Sequence, residues 1–113
     1  MPPNAGGIAW VEFDTVLGTE QAGRRPALIL SDRSYHERSG RAVVCPITRR
    51  SRAWPFEVHL PQTLRTRGVV LVDQVRTIDR SERLFDIIET APEPVLFEVR
   101  GRLAALVGIR LGG

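Results

Sequence analysis

Between Ile8 and Phe13 apolar and polar side chains alternate, with Ala9, Val11 and Phe13 set against Trp10 and Glu12. That period of two predicts a half-buried strand. Pro26–Ser31 and Arg41–Ile47 are short, nearly all-apolar runs of strand length. The polar stretch Asp32–Gly40 separates them and reads as a connection ending in a turn at Ser39-Gly40. Phe56–Leu60 alternates again, which predicts Phe56, Val58 and Leu60 inward and Glu57 and His59 outward. Gly68–Val75 and Arg76–Ile78 continue the pattern as one bent strand or two.

After Ala91 and Pro92 the period changes. Leu96, Val99, Leu103, Leu106 and Val107 recur at helical spacing. Pro92 and Pro94 suit a first helical turn, where a missing N–H costs nothing, and Gly108 is placed to end the helix. Gly101 inside it sacrifices up to ~1 kcal/mol of helix propensity against alanine, so close packing against a sheet is expected there. Five or more short strands followed by one helix describe a mainly β chain, a small antiparallel barrel or half-barrel with a C-terminal α-helix packed on it. Residues 1–113 read as one domain, without repeat, linker or low-complexity segment.

Two segments break the alternation. Asp14–Arg24 (DTVLGTEQAGR) is a polar connection far longer than a tight hairpin, with Gly18 and Gly23 as hinges. Loops of this length in compact domains are usually functional or mobile. Thr48-Arg49-Arg50-Ser51-Arg52 places three arginines within four positions directly after an apolar strand.

Composition sharpens the chemistry. All sixteen basic side chains are arginine and none is lysine, so the isoelectric point is near 10.4 although the net charge is only +3. Schiff-base lysine chemistry and a phosphate-loop lysine are thereby excluded. Arginine offers permanently charged, bidentate forks suited to phosphate, whereas G·C-rich codons alone account for arginines with no task. The single Cys45 forms no internal disulfide and reads as a small buried residue. The start Met1-Pro2-Pro3-Asn4-Ala5 lacks the pattern of a secretory signal, and no apolar run approaches a membrane span. The expected setting is cytoplasmic, with no membrane association.

The sequence contains no metal-ligand spacing of Cys and His, no HExxH, no glycine-rich phosphate loop and no GxSxG. Neither a metal nor a cofactor is expected. His36, in the polar connection, and His59, at an outward strand position, read as solvated surface residues rather than a catalytic pair. What remains is arginine, hydroxyl and carboxamide at strand ends: Arg24-Arg25, Thr48, Gln74 and Arg76.

On these residues the chain resembles a known family. Ile8–Asp14 (IAWVEFD), Gly18–Ser31 (GTEQAGRRPALILS), Cys45-Pro46-Ile47-Thr48, Pro55-Phe56-Glu57-Val58 and Asp73–Ile78 (DQVRTI) match the MazF/PemK toxins in order and spacing. The resemblance spans about residues 7 to 109. It implies an SH3-like antiparallel barrel with a C-terminal helix, a homodimer, and sequence-specific, metal-independent cleavage of single-stranded RNA by an mRNA interferase. Carried over residue by residue, it makes Arg25 the catalytic arginine and Thr48 the catalytic threonine. Glu20 and Gln21 fall in the loop that shapes the RNA groove, and Gln74 and Arg76 on the RNA-facing surface. A cognate antitoxin with an acidic, disordered C-terminal segment is the implied protein partner. Gly7 departs from the family, which commonly has an acidic residue before the first strand.

Metal-free RNA cleavage uses the 2′-hydroxyl as nucleophile on the adjacent phosphorus and requires protonation of the leaving 5′-oxygen. Charge gathers on the non-bridging oxygens, where each well-placed donor contributes roughly 3–4 kcal/mol. Arg25 and Thr48 suit that role. A guanidinium with a pKa above ~12 is a poor general base, which leaves Glu20 as the proton acceptor. Arg49 and Arg50 are read as phosphate contacts. Trp54 is either a base-stacking platform or a packed residue, and Phe56 is core. The rival reading is a CcdB-like toxin that binds DNA gyrase without chemistry, with its function on the C-terminal helix and tail. Other arginines, Arg65 among them, receive no task.

Overall fold

The computed structural model describes residues 2–13 and 23–110. The loop expected between the first two strands therefore lies, from 14 to 22, outside the described residues, as do Glu20 and Gln21. The strands are β1 Gly7–Phe13, β2 Gly23–Ile29, β3 Arg41–Thr48, β4 Glu57–His59, β5 Val69–Leu71, β6 Arg76–Asp79 and β7 Leu84–Thr90. Helix α1 spans Arg33–Ser39, a single turn α2 spans Arg80–Arg83, and α3 spans Glu93–Leu106. All strand pairs are antiparallel, in the order β4-β5-β3-β2-β1-β7, with β6 also on β3.

Strand β3 holds the sheet together. Its first half pairs with β6 from Arg41 to Val44, and its end pairs with β5 at Ile47 and Thr48. Pro46, which has no N–H to give, falls at the step between those two ladders. Along the other edge β2 runs through Ala27↔Pro46, Leu28↔Cys45 and Ile29↔Val44. The architecture is the expected mainly β, barrel-like sheet with a C-terminal helix, but no ladder joins β7 to β4, so strand pairing leaves the barrel open.

Alternation along β1 and β2 sends side chains into two clusters. Ile8, Leu28, Cys45, Val58, Val70 and Val72 pack with Val95 and Val99 of α3, while Ala9, Val11, Phe13, Ala27, Ile29 and Val44 fill the other face. Burying a side chain of this size contributes ~1.5–3 kcal/mol, so α3 is held mainly through Val95, Val99 and the partly buried Leu96 and Leu103. Leu106 and Val107, expected on the same stripe, are exposed. Gly101 does not pack closely: a Cβ there meets nothing within 4 Å.

Several elements differ from the sequence expectation. The polar connection before β3 is helical, because Gly40 in the left-handed region (φ 71°) closes α1 with its N–H on the His36 carbonyl. His36 is fully buried rather than solvated. The Ser31 hydroxyl accepts from the Val43 N–H at 2.8 Å and shares a 2.6 Å hydrogen bond with His36 Nε2. Nδ1 donates to the Pro3 carbonyl at 2.8 Å, since that oxygen can only accept. This histidine fastens the N-terminal segment. Strand β7 and the turn α2 were not anticipated, since Asp86 and Glu89 interrupt the apolar run of Leu84–Thr90.

Candidate functional site

A cleft of about 900 Å³ opens where the start of β2, the end of β3 and the connection before β5 meet. Its lining includes Arg24, Arg25, Thr48, Arg49, Arg50, Arg65 and Arg67, together with Trp10 and Ile88. Six of the described lining residues are arginines and none is a carboxylate, so the site is strongly cationic.

Register explains why Arg25 and Thr48 share this cleft. Arg25 stands two residues before Ala27 and Thr48 two residues after its partner Pro46, so each occupies the same face of its strand at adjoining ends. Thr48 Oγ1 accepts the Arg50 backbone N–H at 3.2 Å, which leaves the hydroxyl proton available to a ligand. The peptide of Thr48 is crowded by Gly68: with φ +119°, a Cβ at Gly68 would lie 2.1 Å from the Thr48 carbonyl oxygen. Only glycine fits there.

The arginine loop after β3 is held from beneath. Glu57, expected to point outward, is instead buried, with 5% of its surface exposed. Its carboxylate accepts from the Ser51 hydroxyl at 2.7 Å and from the Arg52 N–H at 2.9 Å. Burial pushes its pKa up, but the hydrogen bonds from Ser51, Arg52 and Trp54 and the nearby His59 outweigh that and hold it below the ordinary value. Ala53 takes a positive φ of 52° within the same loop. The loop presents Arg49 and Arg50 to the cleft because its turn is tied to Glu57.

A second cleft of about 710 Å³ shares the Thr48–Arg50 wall and continues past Trp54, Asp73 and Gln74. Trp54 is exposed, but its indole is fixed: Nε1 donates to Asp73 Oδ2 at 3.1 Å and the ring meets Phe56 edge-on at 5.5 Å. Phe56 packs partly buried against the core. Arg76 lines neither cleft; its guanidinium lies 5.3 Å from the centre of the Phe13 ring. Cys45 is buried, and desolvation, with Asp73 adding to it, pushes its thiol up to about 12. It is therefore no nucleophile at neutral pH.

The structure thus brings together Arg25, Thr48, Arg49 and Arg50, and puts Trp54 and Gln74 in the adjoining cleft. Sequence reasoning missed Arg65 and Arg67. The only signal was the pair of arginines before Gly68, which nothing distinguished from other surface arginines.

Residues 4–107 match the family model described as PemK-like, MazF-like toxin of type II toxin-antitoxin system. The endoribonuclease toxin MazF of Escherichia coli K12 is 37% identical over 106 residues, which cover 94% of this chain and 95% of that one. The crystal structure of MazF from Deinococcus radiodurans superposes with a TM-score of 0.90 at 44% identity, covering 96% of this chain and 99% of that one. A MazE–MazF structure from the same organism gives 0.85 at 42% identity, over 96% and 98%.

Proposed function

The chain belongs to the PemK-like, MazF-like toxins of type II toxin–antitoxin systems, and from that premise we propose that it is an endoribonuclease toxin cleaving single-stranded RNA at specific sequences without a metal ion. The observation that carries the reading is the meeting of Arg25 and Thr48 in one cleft lined by further arginines. The relatives that match are named endoribonucleases, so gyrase binding without chemistry is not favoured.

In this reading the scissile phosphate lies against Arg25 and Thr48. The 2′-oxygen forms a bond to phosphorus as the bond to the 5′-oxygen breaks, leaving a 2′,3′-cyclic phosphate and a 5′-hydroxyl. The Arg25 fork and the Thr48 hydroxyl stabilise the charge on the non-bridging oxygens. Glu20 takes the 2′-hydroxyl proton, solvent water gives one to the leaving 5′-oxygen, and Gln21 shapes the groove beside them. Arg49 and Arg50 hold neighbouring phosphates, Trp54 and Gln74 meet the bases, and Arg76 acts at the border of the groove beside Phe13. The protein works as one domain in a homodimer. Its partner is a cognate antitoxin whose acidic C-terminal segment competes with RNA for the cationic cleft. No described helix is long and apolar enough to cross a membrane, and we place the activity in the cytoplasm, where mRNA is found.

The test is direct. Purified protein incubated in EDTA with a long single-stranded RNA containing many triplets should give discrete fragments, and Arg25→Ala should give none. Intact RNA with the native protein would end the ribonuclease reading.

A further inference from the structure

The connection between β4 and β5 carries Arg65, Thr66 and Arg67 to the cleft that holds Arg25 and Thr48. It is not tied to its own hairpin alone. Glu89 of β7 reaches it with one carboxylate: Oε1 accepts the Arg65 N–H at 3.0 Å, and Oε2 accepts the Thr66 N–H at 2.7 Å and the Thr66 hydroxyl at 2.6 Å. Arg65 also donates through one terminal nitrogen to the Ile88 carbonyl at 2.6 Å. Arg67 donates through one nitrogen to the Gln62 carbonyl at 3.3 Å. Both arginines remain exposed, and each guanidinium has five N–H donors, of which these contacts use one.

This arrangement has a geometric meaning. The β4–β5 end and β7 are the two ends of the strand order, and no ladder joins them. The Glu89 carboxylate makes that junction in their place, at the mouth of the cleft. Consistent with this load, burial raises the Glu89 pKa but the hydrogen bonds from Thr66 and Arg65 outweigh it and hold the group below its ordinary value.

We infer that Arg65 and Arg67 form a second phosphate-binding wall for the substrate strand, and that Glu89 is the positioning residue that holds this wall at the cleft. The inference rests on the ribonuclease reading. A strand whose scissile phosphate sits at Arg25 and Thr48 meets guanidinium groups from the loop after β3 and from the β4–β5 turn, so its phosphates are neutralised from two separate elements.

The test measures binding of a 2′-O-methylated single-stranded RNA across salt concentrations, beside steady-state cleavage of the unmodified RNA. Arg65→Ala with Arg67→Ala should weaken binding on the order of tenfold and lower the salt slope by about 1.4, from roughly 0.7 per phosphate lost. In cleavage it should raise KM while kcat at saturation holds. Glu89→Gln should shift KM and the slope in the same direction by less, and Glu89→Asp should recover part of the loss. Thermal melts report whether Glu89→Gln is folded; should it not fold, the two surface arginine changes test the wall by themselves. Unchanged affinity and slope in the double arginine variant, with native protein cleaving normally, would overturn the inference and leave the ribonuclease reading standing. So would retained RNA binding with weakened binding of a poly-glutamate peptide, which would assign the wall to an acidic protein segment. Absence of cleavage by the native protein strikes the underlying reading instead.

Discussion

Arg25 and Thr48 occupy corresponding positions on neighbouring antiparallel strands, each two residues outside the Ala27↔Pro46 pair and on the same face as it. Neighbouring strand ends therefore present a planar bidentate cation and a hydroxyl to one cleft. Removing either should cost about 10²–10³ in kcat, the loss typical of one preorganised donor. Arg25→Lys keeps charge but loses the fork, so it should resemble Arg25→Ala more than wild type. Single-turnover cleavage rates decide the point; near-native activity of Arg25→Lys would refute the clamp.

Gly68→Ala should be damaging and Gly101→Ala beneficial, although both are glycine-to-alanine changes. At Gly68 the new Cβ would sit 2.1 Å from the Thr48 carbonyl with φ at +119°, so Thr48 must shift. The strained φ alone costs ~1–3 kcal/mol, and cleavage should be lost with it. At Gly101 the Cβ meets nothing within 4 Å, and the helix gains up to ~1 kcal/mol. Thermal melts and cleavage assays on the pair check both outcomes.

Acid should loosen the arginine loop through Glu57. Its folded pKa lies below the ordinary carboxylate value, so the unfolded state binds more protons in that range and stability rises with pH there. The contribution is complete above about pH 4.3, the unfolded value, and is lost as pH falls through the folded one. Glu57→Gln should lower stability at neutral pH by roughly 1 kcal/mol, the worth of about one hydrogen bond. Melting curves from pH 7 to pH 3 should show the gap between variant and wild type closing at the acid end.

Arg49→Ala with Arg50→Ala should flatten the salt dependence of RNA binding by up to about 1.4, two phosphates at roughly 0.7 each. The measurement is a titration of 2′-O-methylated RNA at several salt concentrations. An unchanged slope would remove these two residues from the phosphate path.

The strands and the helix were legible because their periods are local. Ala9, Val11 and Phe13 alternate with polar neighbours, and Val99 and Leu103 recur at helical spacing. Arg25 and Thr48 were singled out through motif resemblance, and the register gives their place in one cleft a geometric cause. The residues misread are those whose partners are distant in sequence. His36 looks solvated until Pro3, thirty-three positions away, accepts its proton. Glu57 alternates as an outward residue until the backbone of Arg52 turns under it. Arg65 stays anonymous until β7, itself obscured by Asp86 and Glu89, is laid beside it. Periodicity cannot register a carboxylate whose role is to hold a loop.

The change of partner along β3 separates the two principal groups of the cleft mechanically. Arg25 rides on the β1–β2 ladder, whereas Thr48 is pinned to β5 on the other side of the step at Pro46. Their mutual alignment therefore depends on how those two sections of sheet pack, and Leu28 of β2 and Ile47 of β3 share one buried cluster with Val99 of α3. A trimmed core residue such as Val99, which sits on α3 rather than on either strand, should be felt first as detuned chemistry and only later as unfolding. In this fold, catalytic rate can serve as an early strain sensor for the interior.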